Sequence, residues 1–114
     1  MADLNTIDEK LGHLIRRHKH LATGQVLIVA ANVAVQLPSR VIPLGRTVVI
    51  KALPGNLIGG TVRIAGTRAD AENASVGYPL VVNEGVALAV ENLDILWMAG
   101  ATVADGITWI VEQD

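Results

Sequence analysis

The sequence predicts a mainly β fold, a small antiparallel β-sandwich or barrel preceded by an N-terminal amphipathic helix. Three observations carry this. Apolar residues alternate with a period of two in short runs between residues 26 and 111, turn signals rich in Gly and Pro separate those runs, and residues 3–21 repeat instead with a heptad spacing. At 114 residues the chain is expected to form one compact β-domain over 24–114, with a helical arm over 1–23.

In the arm, Leu4, Ile7, Leu11, Leu14, His18 and Leu21 follow one another at steps of 3, 4, 3, 4 and 3, an unbroken a/d register. Asp3, Asp8 and Glu9 precede Arg16, Arg17 and Lys19, the order that complements a helix dipole, and Thr23-Gly24 supplies a stop. A helix this short is marginal alone. These six residues are therefore candidates for oligomerisation or docking: a parallel bundle about a symmetry axis, an arm on a neighbouring subunit, or a helix packed on its own domain.

Beyond Gly24, Val26, Ile28 and Ala30 alternate with Leu27 and Val29, Val48 and Ile50 with Val49 and Lys51, and Val62 and Ile64 with Thr61 and Arg63. Val86, Leu88 and Val90 share a face, as do Leu93, Ile95 and Trp97, and then Ile107, Trp109 and Val111. Turns are read at 37–39, 42–45, 53–56, 59–60, 83–85 and 105–106. No second helix is evident, which excludes an α/β nucleotide-binding fold. The connection 66–79 has no clear period and is long enough to be either a surface excursion or a contact loop, with Arg68 and Tyr78 as its candidate partner contacts.

Composition narrows the function classes. Hydrophobic residues make up 51% of the chain and charged ones 18%, an excess of apolar surface for a domain that buries about 65% of its unfolded area. That excess points to an obligate oligomer or a component of an assembly. Abundant Val, Ile and Leu exclude disorder, and the longest apolar stretch, 26–35, falls short of the roughly 18 residues of a membrane helix. The opening MADLNTIDEK reads as no export signal, and the lack of Cys removes disulfides, thiolate metal sites and cysteine nucleophiles. Charge divides along the chain, +6 over residues 1–68 and −8 over 69–114. The two halves either neutralise each other within a protomer or pair across subunits. Sparse basic residues and three aromatics give no platform for nucleic acid.

Catalytic chemistry finds little to use. His13, His18 and His20 lack the i, i+4 spacing of paired metal ligands, Ser39 and Ser75 lie outside any nucleophile-elbow context, and no histidine falls in the β-domain to serve as a base. Carboxylates such as Glu91 and Asp94 are expected neighbours in so acidic a stretch. Trp97 and Trp109 sit in phase with apolar strand faces and read as core, whereas Tyr78 reads as an exposed contact. The expectation is therefore no enzyme, no cofactor and no metal.

The order of signals AVQLPS (34–39), IP (42–43), VVIKALPGN (48–56), TVRIAG (61–66), GYPL (77–80), NEGVALAVENLDILWMAG (83–100) and ADGITWIVE (104–112) resembles small structural modules of tailed-bacteriophage virions. The likeness spans about two thirds of the chain; the arm is not part of it, and 66–79 is longer than the pattern. It implies a jelly-roll-like β-sandwich, commonly trimeric, that serves as a capsid decoration (cement) protein on the phage head. A fibre, baseplate or head-tail adaptor component is the alternative, and a carbohydrate-binding module using Tyr78 is another. On the decoration reading, Arg16, Arg17, Lys19, Arg68 and Tyr78 face a major capsid protein or another virion protein, with no nucleic acid or membrane as partner.

Overall fold

The computed structural model describes residues 20–113. Within them the chain forms eight strands, one short α-helix and one 3-10 turn. One antiparallel sheet is ordered β1 (His20–Leu27), β8 (Gly106–Gln113), β3 (Val48–Ala52) and β6 (Gly85–Leu88). The other is ordered β2 (Val35–Gln36), β7 (Trp97–Gly100), β4 (Val62–Ala65) and β5 (Tyr78–Leu80), again antiparallel throughout. The strands thus pair from the outside inward, first with eighth, second with seventh, third with sixth and fourth with fifth.

The two sheets bury one common core. Val48, Ile50, Ile107 and Val111 from the first sheet meet Val62, Leu80 and Met98 from the second, all at or within 1% exposure. Alternation along β3 is as the period of two requires, with Val48, Ile50 and Ala52 buried and Val49 and Lys51 exposed. Val86, Leu88 and Val90 pack against this core, half-buried. Leu37, Leu93 and Leu96 from the connections close it.

The helical reading is corrected where it enters the described residues. Leu21, the last residue of the heptad, lies in β1 opposite Glu112, and Thr23 and Gly24 are strand interior opposite Ile110 and Trp109. Pairing with β8 supplies backbone partners for this stretch, so Thr23-Gly24 stops nothing. Glycine serves a different need there: a β-carbon on Gly24 would stand 2.5 Å from Cζ2 of Trp109, whose ring lies over the bare backbone. Trp109 is 5% exposed, and the Arg40 guanidinium carbon is 6.0 Å from its ring centroid. The rest of the heptad, Leu4, Ile7, Leu11, Leu14 and His18, lies outside the described residues.

Two further expectations change. Leu93–Ile95 is a 3-10 turn and not a strand, because the Asn92 side-chain oxygen accepts from the Asp94 N–H at 3.1 Å and starts a tight turn. That turn resets the phase, so Trp97 leaves the common core and packs beside a small cluster of Ala34, Ala71 and Ala99. The 66–79 connection contains helix α1 (Arg68–Glu72), capped by Thr67, whose hydroxyl accepts from the Asp70 N–H at 3.2 Å.

Gly24→Ala is expected to cost about 1–3 kcal/mol of stability through overpacking against Trp109, lowering the denaturant midpoint at an unchanged m-value. A loss below about 0.5 kcal/mol would mean that the indole moves aside freely.

Candidate functional site

Helix α1 lies over the outer face of the second sheet, held by three contacts to distant parts of the chain. Ala71 is fully buried against Ala34 and Ala99. Arg63 points outward from β4 and is only 6% exposed; its Nε donates to the Ala71 carbonyl at 2.9 Å and its guanidinium reaches the Glu72 carbonyl at 3.4 Å. A cation thereby meets the last carbonyls of the helix, where the backbone dipole is negative. Gly77 lets the returning chain cross this side chain, since a β-carbon there would be 2.9 Å from that of Arg63.

The third contact is Glu72. Its carboxylate accepts from the Ala34 N–H at 2.9 Å and from Arg68 Nε at 3.2 Å. The Ala34 backbone bond, and after it the Arg68 partner, hold this carboxyl below its ordinary pKa. Arg68, one of the two contact residues expected in this connection, thus spends its guanidinium on an i, i+4 pair at the surface of α1. Tyr78, the other, is in β5 and not in a turn; it is 55% exposed and opposite Ile64 in register, so it stands on the core side of its sheet. The two residues therefore do not converge on one face. Arg16, Arg17 and Lys19 lie outside the described residues.

Tyr78 borders a groove of about 340 Å³ where the sheets part at their β5 and β6 edges, lined by Ile64, Ala65, Gly66, Val86, Leu88 and Leu96. Its walls are apolar apart from the phenol, which suits an apolar side chain or a stacked ring. A second, wider depression of about 580 Å³ lies between the 41–46 and 89–95 segments. Its lining includes Val41, Leu44 and Ile95, which are 67%, 101% and 41% exposed, grouped beside Arg46 and Glu91. Large apolar side chains gathered in one exposed depression mark an interaction surface more than scattered ones do. The sequence reading did not single out this surface; Ile42-Pro43-Leu44-Gly45 was legible only as a turn.

Charge compensation occurs within the protomer at two described pairs, Arg46 Nε to Glu112 Oε1 at 3.6 Å and Arg68 to Glu72 at 3.2 Å. Each joins the basic first part of the chain to the acidic second part. Among the described residues no cluster of three His, Asp or Glu side chains is placed to hold a metal, and no helix is long and apolar enough to cross a membrane. Ser39 is exposed, its hydroxyl 3.4 Å from the Asn92 amide nitrogen that donates to it. No family model, no curated protein and no solved structure matches this chain.

The lowered Glu72 pKa fixes the sign of a pH effect. The folded state holds this carboxylate ionised more firmly than the unfolded chain does, so its contribution is complete above the usual carboxylate range and is lost as pH falls through that range and past the folded value. The stability difference between the wild type and Glu72→Gln is expected to shrink as pH is lowered from about 7 to about 3, read by urea unfolding across that range.

Proposed function

We propose that this chain is a jelly-roll β-sandwich that acts as a structural protein of a tailed-phage virion, a decoration (cement) protein bound as a homotrimer to the outside of the head. The observation that carries this reading is the strand order, β1-β8-β3-β6 against β2-β7-β4-β5, with pairing from the outside inward. That is the order of the double-sheet jelly roll, an architecture used in viral capsid and lectin domains. The exposed apolar depression at Val41, Leu44 and Ile95 supports a docking role, and the resemblance of residues 34–112 to phage virion modules supplies the setting. In this reading the protein carries no reaction. It strengthens the shell by mass action: a component that binds only assembled capsid stabilises it by about 2.7 kcal/mol per site at a free concentration one hundred times the Kd.

Particles of the phage encoding the chain are expected to contain hundreds of copies on the shell by quantitative mass spectrometry, and heads lacking it to release DNA at lower temperature. A few copies per particle would instead support the fibre, baseplate or adaptor reading, and none would end both. Leu44→Asp, at a fully exposed position, is expected to lower head occupancy at least tenfold while the melting temperature stays unchanged.

A carbohydrate-binding reading is favoured by one observation, the exposed Tyr78 at the mouth of an apolar groove. It requires a glycan-array signal that is lost in Tyr78→Ala; a blank array removes it.

A further inference from the structure

We infer that the outer edge of β1, which pairs with no other strand among the described residues, is a seam between two copies of this chain, which pair antiparallel about a twofold axis at Gly24 and join their first sheets into one. Four strands end the two sheets. Three of them are short: β2 has two residues, β6 four, and β5 three including Pro79. Strand β1 is different, with eight residues, HLATGQVL, and no Lys, Arg, Asp, Glu or Pro. A long edge without charge, proline or bulge lacks the devices within a strand that normally keep an edge from pairing with another chain.

The hydrogen-bond phase shows which groups that edge presents. Ile28 N–H donates to the Asp105 carbonyl at 2.8 Å, and its carbonyl accepts from the Ala104 N–H at 2.9 Å, so residue 28 faces β8. On the other flank of β8, the Leu53 N–H donates to the Gly106 carbonyl at 3.0 Å, which turns residue 106 toward β3. Alternation along an antiparallel ladder then directs the backbone groups of Ala22, Gly24 and Val26 at β8 and those of Leu21, Thr23, Gln25 and Leu27 at the open edge.

Those four residues are also the ones whose side chains are exposed, and they are self-complementary. Pairing two copies about Gly24 sets Leu21, 60% exposed, opposite Leu27, 42% exposed, and Thr23 opposite Gln25, each pair twice. Sliding the register by two residues either way shortens the ladder and sets a leucine opposite a polar residue. The chosen register uses every edge group from 21 to 27 and brings the two Gly24 backbones together with no side chain between them. It also sets the His20 ends of the two strands at opposite ends of the joined ladder. A threefold contact through residues 4–18 would therefore be independent of this seam, and the seam does not rest on the virion reading.

The test is the native mass of the full-length chain, with amide exchange read residue by residue. T23K/Q25K sets lysine opposite lysine in this register and is expected to halve the mass, while T23K/Q25E sets lysine opposite glutamate and keeps it. In the wild type the N–H groups of Leu21, Thr23, Gln25 and Leu27 are expected to be protected, and in T23K/Q25K to exchange freely with the core amides still protected. A mass unchanged by T23K/Q25K overturns the seam, including the case in which residues 1–19 of the same chain cover the edge. So do rapidly exchanging edge amides in the wild type, which would mean that any association runs through another surface.

Discussion

The burial of β8 between β1 and β3 is the constraint on which the rest of the fold depends. Its inward residues Ile107, Trp109 and Val111 are at most 5% exposed, and both its backbone edges are satisfied by strands from the first half of the chain. Trp109 sets the tolerance of this arrangement. It demands a bare backbone at Gly24 on one side and accepts Ile50 on the other. With these three strands fixed, β6 adds beside β3, and the second sheet lies where it can bury Val62, Leu80 and Met98 against the same core.

Helix α1 is a secondary construction on the far face of that second sheet, and polar contacts govern it. Five helical residues bury one alanine, too little apolar surface to hold the helix alone. What fixes it is the charged group at each end of a short path: Arg63 from beneath, on the terminal carbonyls, and Glu72 outward, on the Ala34 N–H thirty-eight residues away. The connection, readable from sequence as either a surface excursion or a contact loop, is tied back to the segment before β2 through Glu72.

How much of this was legible follows from the range over which each signal acts. The strands around 48–52, 62–65, 86–90 and 107–111 announce themselves because a half-buried strand must alternate, and each carries its own record of that. The start of β1 was hidden because Leu21, on the exposed face of the strand, completes a heptad step and falls out of phase with the buried Val26 and Ile28. Helix α1 is too short to develop a period, and its one local sign was the pair Thr67 and Asp70 at capping distance. The buried state of Arg63 had no sign at all, because α1 and the chain returning at Gly77 make it buried. The same holds for the candidate site: the exposure of Tyr78 could be read from the Gly77 and Pro79 beside it, but its groove is made by the edges of two sheets, and the depression around Leu44 by two segments some fifty residues apart.

Pairing from the outside inward also dictates an order of events during synthesis. Strand β1 emerges from the ribosome first among the described strands and β8 last, and neither β1 nor β3 has its central partner until residues 106–113 are free. Until then Val26, Val48 and Ile50 belong to strands that cannot close their core, and the nascent chain displays bare edges beside apolar faces. Contacts of such long sequence separation form slowly, and open edges in the interval invite pairing between neighbouring nascent chains. For this topology the hazardous period lasts at least the time needed to translate the 78 residues, 28–105, that separate β1 from β8.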